Sequence, residues 1–176
     1  WTRTLDAFTP ARVLEFYAST EGDVILANVP GVKVGCKGRP LPGTAEVKLA
    51  AYDPLTGSLI EDEHGFVREC EDEEVGVLLG RAGVYAEMQG GTLRGIFEAG
   101  DAWIATENLF RRDRDGDYWL VDHKRSVVTT PRGPIYTTPL SDALGQLSKV
   151  DLAVVYGVDV DGVDIAVAAM TLSGAR

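Results

Sequence analysis

The most informative stretch of the chain is Phe16-Tyr17-Ala18-Ser19-Thr20-Glu21-Gly22-Asp23, which places an aromatic ring, two hydroxyls and a carboxylate before a glycine that permits a sharp turn. A ring can stack on a base, a hydroxyl can donate to a phosphate oxygen, and a carboxylate can hold Mg²⁺. The stretch is therefore compatible with a nucleotide site. Taken alone, it is also compatible with a strand end closed by a local Ser/Thr turn, and both interpretations stay open at this point.

The residues before this stretch predict a helix followed by a strand. Trp1, Leu5 and Phe8 recur with helical spacing, and Thr9-Pro10 ends the pattern. Val13-Leu14-Glu15-Phe16 has the β-branched and aromatic content of a short buried strand, which leads directly into the candidate site. Because the chain begins at Trp1 without a Met, we expect it to be a piece of a longer protein.

Charge and composition exclude several classes of protein. The 176 residues carry a formal net charge of −10, whereas nucleic-acid binding requires a basic face. No run of about 18 apolar residues is present, so we expect no transmembrane segment. The two cysteines, Cys36 and Cys70, lack metal-ligand spacing and indicate a reduced interior rather than a disulfide framework.

Much of the negative charge lies between Glu61 and Glu74. The spacing and central glycine of an EF-hand are absent there, so a solvated hairpin surface is favoured over a Ca²⁺ site. His64 lies in this acidic turn without a second candidate ligand. We therefore predict an exposed turn histidine and not a catalytic base.

The rest of the chain predicts antiparallel strands joined by tight turns, with one helix near the end. Thr138 is the predicted N-cap of that helix, with Pro139 at its first position. A buried strand is predicted at Asp151–Val158 because the run is almost entirely apolar. The other predicted strands and turns are strands at 45–52, 59–60, 74–81 and 163–172, and turns at 53–57, 64–65, 115–116 and 161–162.

The opening stretch resembles the motif Phe/Tyr-Tyr/Gly-x-Ser/Thr-Thr-Glu-Gly/Ala of the adenylate-forming (acyl-activating) superfamily. Within that superfamily it looks most like the long-chain and very-long-chain acyl-CoA synthetases, also called fatty acid transport proteins. The resemblance implies that Tyr17 packs on adenine, that Thr20 contacts the α-phosphate and that Glu21 holds Mg²⁺. It also places Ala18 and Ser19 in the nucleotide-binding site.

A second segment, Gly100-Asp101-Ala102-Trp103-Ile104-Ala105-Thr106-Glu107-Asn108-Leu109, resembles the family's Gly-Asp-x-Trp/Tyr-x-x-Thr-Gly-Asp-Leu. In the family, the second Asp accepts hydrogen bonds from both ribose hydroxyls. Here that position is Asn108, which offers a single acceptor oxygen, so ATP affinity is expected to be about tenfold lower. Glu107 replaces the preceding glycine and would repel phosphate if it faced the ligand.

The next segment, 111–123, resembles the hairpin that closes the family's large domain, followed by the Asp-Arg pair that begins the hinge. Asp122 is retained, but His123 stands where the family has an arginine that contacts the nucleotide. A mostly neutral histidine cannot replace a permanent bidentate cation. Lys124 or Arg125 is therefore the candidate to replace that arginine.

The resemblance extends roughly from Val13 to Leu172 and implies a mixed α+β fold. Residues 1–121 are expected to form the last part of the large AMP-binding domain, a distorted antiparallel β-barrel. Residues 122–176 are expected to form the first half of a small α+β domain, with the hinge near Asp122. The family's phosphate loop and adenylation lysine are not in this chain, so we expect the chain alone to catalyse neither half-reaction.

The resemblance implies an enzyme that activates a long or very long chain fatty acid with ATP and transfers it to CoA. It implies ATP/AMP, Mg²⁺ and CoA as cofactors or substrates, and a cytoplasmic location in which peripheral membrane binding stays open. The alternative is a pseudo-synthetase that keeps the fold as a binding or regulatory module. Asn108, His123 and the turn Pro131-Arg132-Gly133-Pro134, which replaces the family's Lys-Gly-Glu-Asn, motivate this alternative.

Overall fold

The computed structural model describes residues 2–8, 13–20, 24–83 and 91–174. A 3-10 turn at Lys124–Ser126 lies between the two larger sheets and a smaller C-terminal part. The helices and strands are, in chain order, α1 (Thr2–Ala7), β1 (Phe16–Ala18), β2 (Ile25–Ala27), β3 (Arg39–Pro40), β4 (Val47–Asp53), β5 (Ser58–Leu59), β6 (Val75–Arg81), β7 (Leu93–Arg94), β8 (Ala102–Arg112), β9 (Tyr118–His123), β10 (Val128–Thr130), β11 (Gly133–Ile135), α2 (Thr137–Gly145), β12 (Val150–Val160) and β13 (Val163–Leu172).

The largest sheet is antiparallel and runs in the order β5-β4-β6-β8-β7, with β9 paired to β8. Successive residues of a strand point to opposite faces. Leu78 therefore packs into one hydrophobic cluster, with Phe110, while Val77 and Leu79 pack into a second, with Trp103. Because both faces are covered, residues 75–80 form a continuous apolar run without alternation, and the strand ends at the exposed Arg81.

A second antiparallel sheet, β1-β2-β3, carries the Tyr17 motif and packs on the first. The link is a bridge in which the N–H of Tyr118 donates to Gly38 O at 2.8 Å and the N–H of Lys37 donates to Tyr118 O at 2.9 Å. Gly38 has φ of +84°, and a Cβ there would lie 2.0 Å from the backbone of Ala27, so only glycine fits. Among the described residues, no pairing closes the two sheets into a barrel, and the predicted distorted barrel is not confirmed.

The C-terminal part contains two hairpins and a helix. The hairpin β10–β11 precedes α2, and α2 packs on the hairpin β12–β13, where Val155 N donates to Ser141 Oγ at 3.0 Å. The mixed α+β class is confirmed by this arrangement. The domain boundary near Asp122 stays a prediction.

Two predicted burial patterns are wrong. The predicted buried strand at 13–16 is instead the strand Phe16–Ala18 at a sheet edge, with Leu14 56% and Phe16 69% exposed. The predicted buried strand at 151–158 forms, but Leu152 is 60% exposed, whereas Val155, whose N–H donates to Ser141 of α2, is buried. An apolar run identifies a strand without showing which faces find partners.

Candidate functional site

Two segments predicted to bind nucleotide lie side by side. Asn108 Nδ2 donates a hydrogen bond of 2.8 Å to Tyr17 Oη, across 91 residues of sequence. The Tyr17 ring packs edge-on against Phe110, with ring centroids 4.9 Å apart. β1 and β8 thus bring together the residues that the resemblance assigns to adenine and ribose.

The backbone around Asn108 is irregular and is stabilised by hydrogen bonds of a buried threonine. Thr106 is fully buried, and its hydroxyl donates to Leu78 O at 3.0 Å and accepts from Asn108 N at 3.2 Å. The pairing of β8 with β6 and with β9 shifts register beside this point. Such irregularities change the direction in which a side chain points, and here they lie next to Asn108, which is 9% exposed.

His123 lies opposite Asn108 in the pairing of β8 with β9, and its side chain is exposed. Glu107 forms ion pairs with the two cations that follow His123 in the sequence, with Lys124 Nζ at 3.4 Å and Arg125 Nε at 3.9 Å. The side chains suggested as replacements for the family's arginine therefore face Glu107 in this structure.

Asp122 is buried, with 1% exposure, and joins β9 to the start of α2. Its carboxylate accepts hydrogen bonds from the N–H and hydroxyl groups of Thr137 and Thr138, and from the N–H of His123. The prediction that Thr138 is the N-cap of this helix is therefore wrong. The helix begins at Thr137, and the carboxylate of Asp122 satisfies its first N–H groups in place of a local cap.

The remaining predicted nucleotide contacts lie at the end of β1. Ala18 is the last residue of β1, the N–H of Ser19 donates to Val24 O at 3.1 Å, and Thr20 is exposed. Glu21, the predicted Mg²⁺ ligand, lies outside the described residues. The roles of Ser19, Thr20 and Glu21 stay predictions.

Sequence reasoning missed a charge cluster in the β8–β9 turn. Lys33 Nζ lies 2.7 Å from Asp113 Oδ2, 2.8 Å from Asp115 Oδ2 and 2.7 Å from Asp117 Oδ2. These three hydrogen-bonded carboxylates hold the pKa of Lys33 well above its ordinary value. Burial raises the pKa of Asp113, but the bonds from Lys33 and the Trp119 indole outweigh it and hold that pKa well below its ordinary value.

The three aspartates of this turn are the described residues that come closest to a metal site. Their oxygens lie within 4.8 Å of one another. The Lys33 ammonium occupies the position between them, so the cluster already contains its cation. The Asp-x-Asp-x-Asp spacing is visible in the sequence, whereas the partner, 80 residues away from Asp113, is not.

The acidic stretch and the cysteines have structural roles. The carboxylate of Asp62 accepts the N–H groups of His64 and Phe66 within the turn, and Glu74 pairs with Arg68. The His64 side chain is exposed, as predicted. Cys36 and Cys70 are both free and buried, and burial raises the pKa of the Cys70 thiol to about 12.

In the described ranges, no helix is long and apolar enough to cross a membrane.

Comparison with protein-family models gives no match. Three curated relatives are similar over most of this chain. Long-chain fatty acid transport protein 2 of Rattus norvegicus is 28% identical over 92% of this chain. The medium/long-chain-fatty-acid–CoA ligase FadD6 of Mycobacterium tuberculosis is 30% identical over 91%, and isopenicillin N epimerase component 1 of Hapsidospora chrysogena is 29% identical over 93%. The chain spans only 28%, 28% and 30% of these relatives, respectively.

Solved structures show the same fold at lower identity. ATP-bound MatB from Rhodopseudomonas palustris superimposes with a TM-score of 0.71 and 20% identity, covering 98% of this chain and 33% of that one. The anthranilate CoA ligase AuaEII, solved with anthranoyl-AMP, gives a TM-score of 0.65 and 20% identity, covering 97% and 30%.

Proposed function

We propose that this chain, whose resemblance to the long-chain acyl-CoA synthetases of the adenylate-forming superfamily is confirmed by its relatives, is part of an ATP-dependent fatty acid–CoA ligase. In the first step, a fatty acid carboxylate attacks the α-phosphorus of ATP, giving acyl-AMP and releasing pyrophosphate. In the second step, the CoA thiolate attacks the acyl carbon and AMP leaves. Because the chain spans under a third of its curated relatives, both steps belong to the whole protein.

The observation that supports this proposal most strongly is the hydrogen bond between Asn108 and Tyr17. The adenine-facing and ribose-facing positions of one nucleotide would have to be neighbours, and these two residues are. Thr20 would contact the α-phosphate from the end of β1, and Glu21 is the proposed Mg²⁺ ligand by resemblance. When bound, Mg²⁺ would neutralise charge on the phosphates. By the same resemblance, we propose a cytoplasmic location for the whole protein, with peripheral membrane binding as the alternative.

Replacing Asn108 with Asp is expected to increase ATP affinity about tenfold, since a carboxylate gives the ribose hydroxyls a charged acceptor. The contact with Tyr17 should survive, because a phenol hydroxyl can donate as well as accept. The ATP dissociation constant of the whole protein, measured by calorimetry, checks this. Asn108→Ala is the matched control, expected to weaken binding. Equal affinity of wild type and Asn108→Asp would contradict the ribose role.

The second candidate is a pseudo-synthetase that binds ligands without activating an acid. The specific observation in its favour is that Glu107 holds both Lys124 and Arg125 beside the exposed His123. The hairpin β10–β11 adds to it, since Pro131 and Pro134 stand in place of the family's Lys-Gly-Glu-Asn turn and lack backbone donors.

Acid-dependent ATP–pyrophosphate exchange on the whole protein separates the two candidates. We expect exchange above the acid-free background with at least one member of a panel of medium to very long chain fatty acids, and thioester formation when CoA is added. A cooperative melting transition shows that the protein is folded. If the folded protein gives no exchange with any acid in the panel, the ligase proposal is wrong and the pseudo-synthetase is favoured.

A further inference from the structure

We infer that Lys33 is a positioning residue for the nucleotide site: it fixes the loop at 28–38 so that Tyr17 of β1 keeps its position beside Asn108 of β8. The inference rests on the proposed function for its consequence on ATP, while its structural part can be tested without any nucleotide. Lys33 itself lies in the loop and outside the proposed contacts with ATP.

This loop and the residue that follows it, Arg39, are attached to the turn between β8 and β9. Besides the three carboxylate contacts of Lys33, Arg39 Nε lies 2.8 Å from Asp117 Oδ1, and a guanidinium nitrogen of Arg39 donates to Asp115 O at 2.6 Å. Asp113 is fixed in turn, because it accepts the N–H groups of Asp115 and Asp117. The anchor is therefore a preorganised turn and not a set of mobile surface acids.

The same loop is also attached to Glu15, two residues before Tyr17. Gly35 N donates to Glu15 Oε2 at 2.7 Å and Lys37 Nζ donates to Glu15 Oε1 at 3.2 Å. Asn28 N donates to the backbone oxygen of Glu15 at 2.9 Å. The loop thus connects the strand that carries Tyr17 to the hairpin that carries Asn108.

Polar contacts carry much of this connection, because Cys36 is buried but the three valines of the loop are exposed. Val29 is 55%, Val32 78% and Val34 54% exposed. A lysine ammonium is a compact charge with three donors, which matches three converging carboxylates. Removing Lys33 would leave Asp113, Asp115 and Asp117 to repel one another and would detach the middle of the loop from the turn.

The first test uses hydrogen–deuterium exchange on the whole protein without nucleotide. Lys33→Met keeps the length of the side chain and removes its charge. We expect exchange at 28–38 and at 13–20 to rise about threefold or more, while β6 at 75–81 stays unchanged. A purely local role would open the loop alone. The inference is wrong if 13–20 exchanges at the wild-type rate.

Two further variants serve as controls. Arg68→Met removes a cation of similar exposure, 38% against 31% for Lys33, from its pair with Glu74, and should leave exchange at 13–20 unchanged. Lys33→Arg restores the charge and should return 13–20 to within about twofold of wild type. If Lys33→Met does not fold, Arg39→Met takes its place, because that 60%-exposed side chain loses a single ion pair.

The second test measures ATP binding with the same variants. We expect Lys33→Met to raise the ATP dissociation constant about tenfold, as a misplaced binding residue does, and Arg68→Met to leave it unchanged. If wild type binds ATP and Lys33→Met binds it with the same affinity, the inference is wrong. Absence of ATP binding in wild type would instead overturn the proposed function, and the exchange measurement alone would then decide the role of Lys33.

Discussion

Replacing Asp122 with Ala is expected to destabilise the protein by about 3 kcal/mol or more, since it leaves a group of buried donors without an acceptor. The carboxylate accepts from three N–H groups, those of His123, Thr137 and Thr138, and from the two threonine hydroxyls. The loss should appear in urea unfolding followed by tryptophan fluorescence. Hydrogen exchange should rise first in α2.

The control for this change is Asp142→Ala, which removes an exposed carboxylate from α2 itself and should alter stability by less than about 0.5 kcal/mol. Asp122→Asn should fall between the two, because the amide keeps one acceptor oxygen. A loss below about 1 kcal/mol for Asp122→Ala would mean that water or another acceptor satisfies the start of α2. Asp122 would then be free to move at the proposed hinge.

The local elements of the fold could be predicted from the sequence because their determinants are local. The strand predicted at 74–81 is β6, whose apolar run is 75–80, and Asp115-Gly116 lies in the turn between β8 and β9, where Gly116 has φ of +85°. Turn glycines and apolar runs act over a few residues, so they can be identified without tertiary structure. The burial of β12 could not be predicted, because it depends on which elements pack on each face.

The candidate site could be predicted only where a motif carried it. The family resemblance predicts that Tyr17 and Asn108 each contact the nucleotide; the structure joins them by a hydrogen bond, and their roles stay predictions. Lys33 was not expected, because its partners lie at least 80 residues away in the sequence and no local pattern links them. The same holds for Asp122, whose acceptor role depends on a helix that begins 15 residues later.

The second large loss of stability is expected for substitution of Asp101, because its buried carboxylate organises the loop that precedes β8. It accepts the N–H groups of Ile96, Phe97 and Glu98 and the indole N–H of Trp103, at 2.7, 2.8, 3.0 and 2.8 Å respectively. Asp101→Asn keeps the shape but turns an amide donor towards these donors. We expect a loss of about 3 kcal/mol at pH 7, measured by urea unfolding.

The pH dependence of that loss separates the charge of Asp101 from its shape. Burial alone raises the pKa of this carboxyl, but the four hydrogen bonds outweigh burial and hold its pKa below the ordinary value. A lowered pKa in the folded state gives stability that is present above the unfolded value, near 3.8, and is lost as the pH falls through the folded value. The difference between wild type and Asp101→Asn should therefore be full at pH 7 and pH 5 and shrink below about pH 4.

Comparing two variants within one pH series removes the contribution of the other carboxylates, several of which also have lowered pKa values. Asp164→Asn, an exposed aspartate on β13, is the control and should show a difference near zero at every pH. A difference for Asp101→Asn that stays constant down to the lowest pH would assign the effect to lost packing of the loop against Trp103. A difference that shrinks on acidification, while the control stays near zero, would assign the lost stability to the ionised carboxylate of Asp101. That carboxylate would then fix the loop that leads into β8, the strand that carries Asn108 of the proposed site.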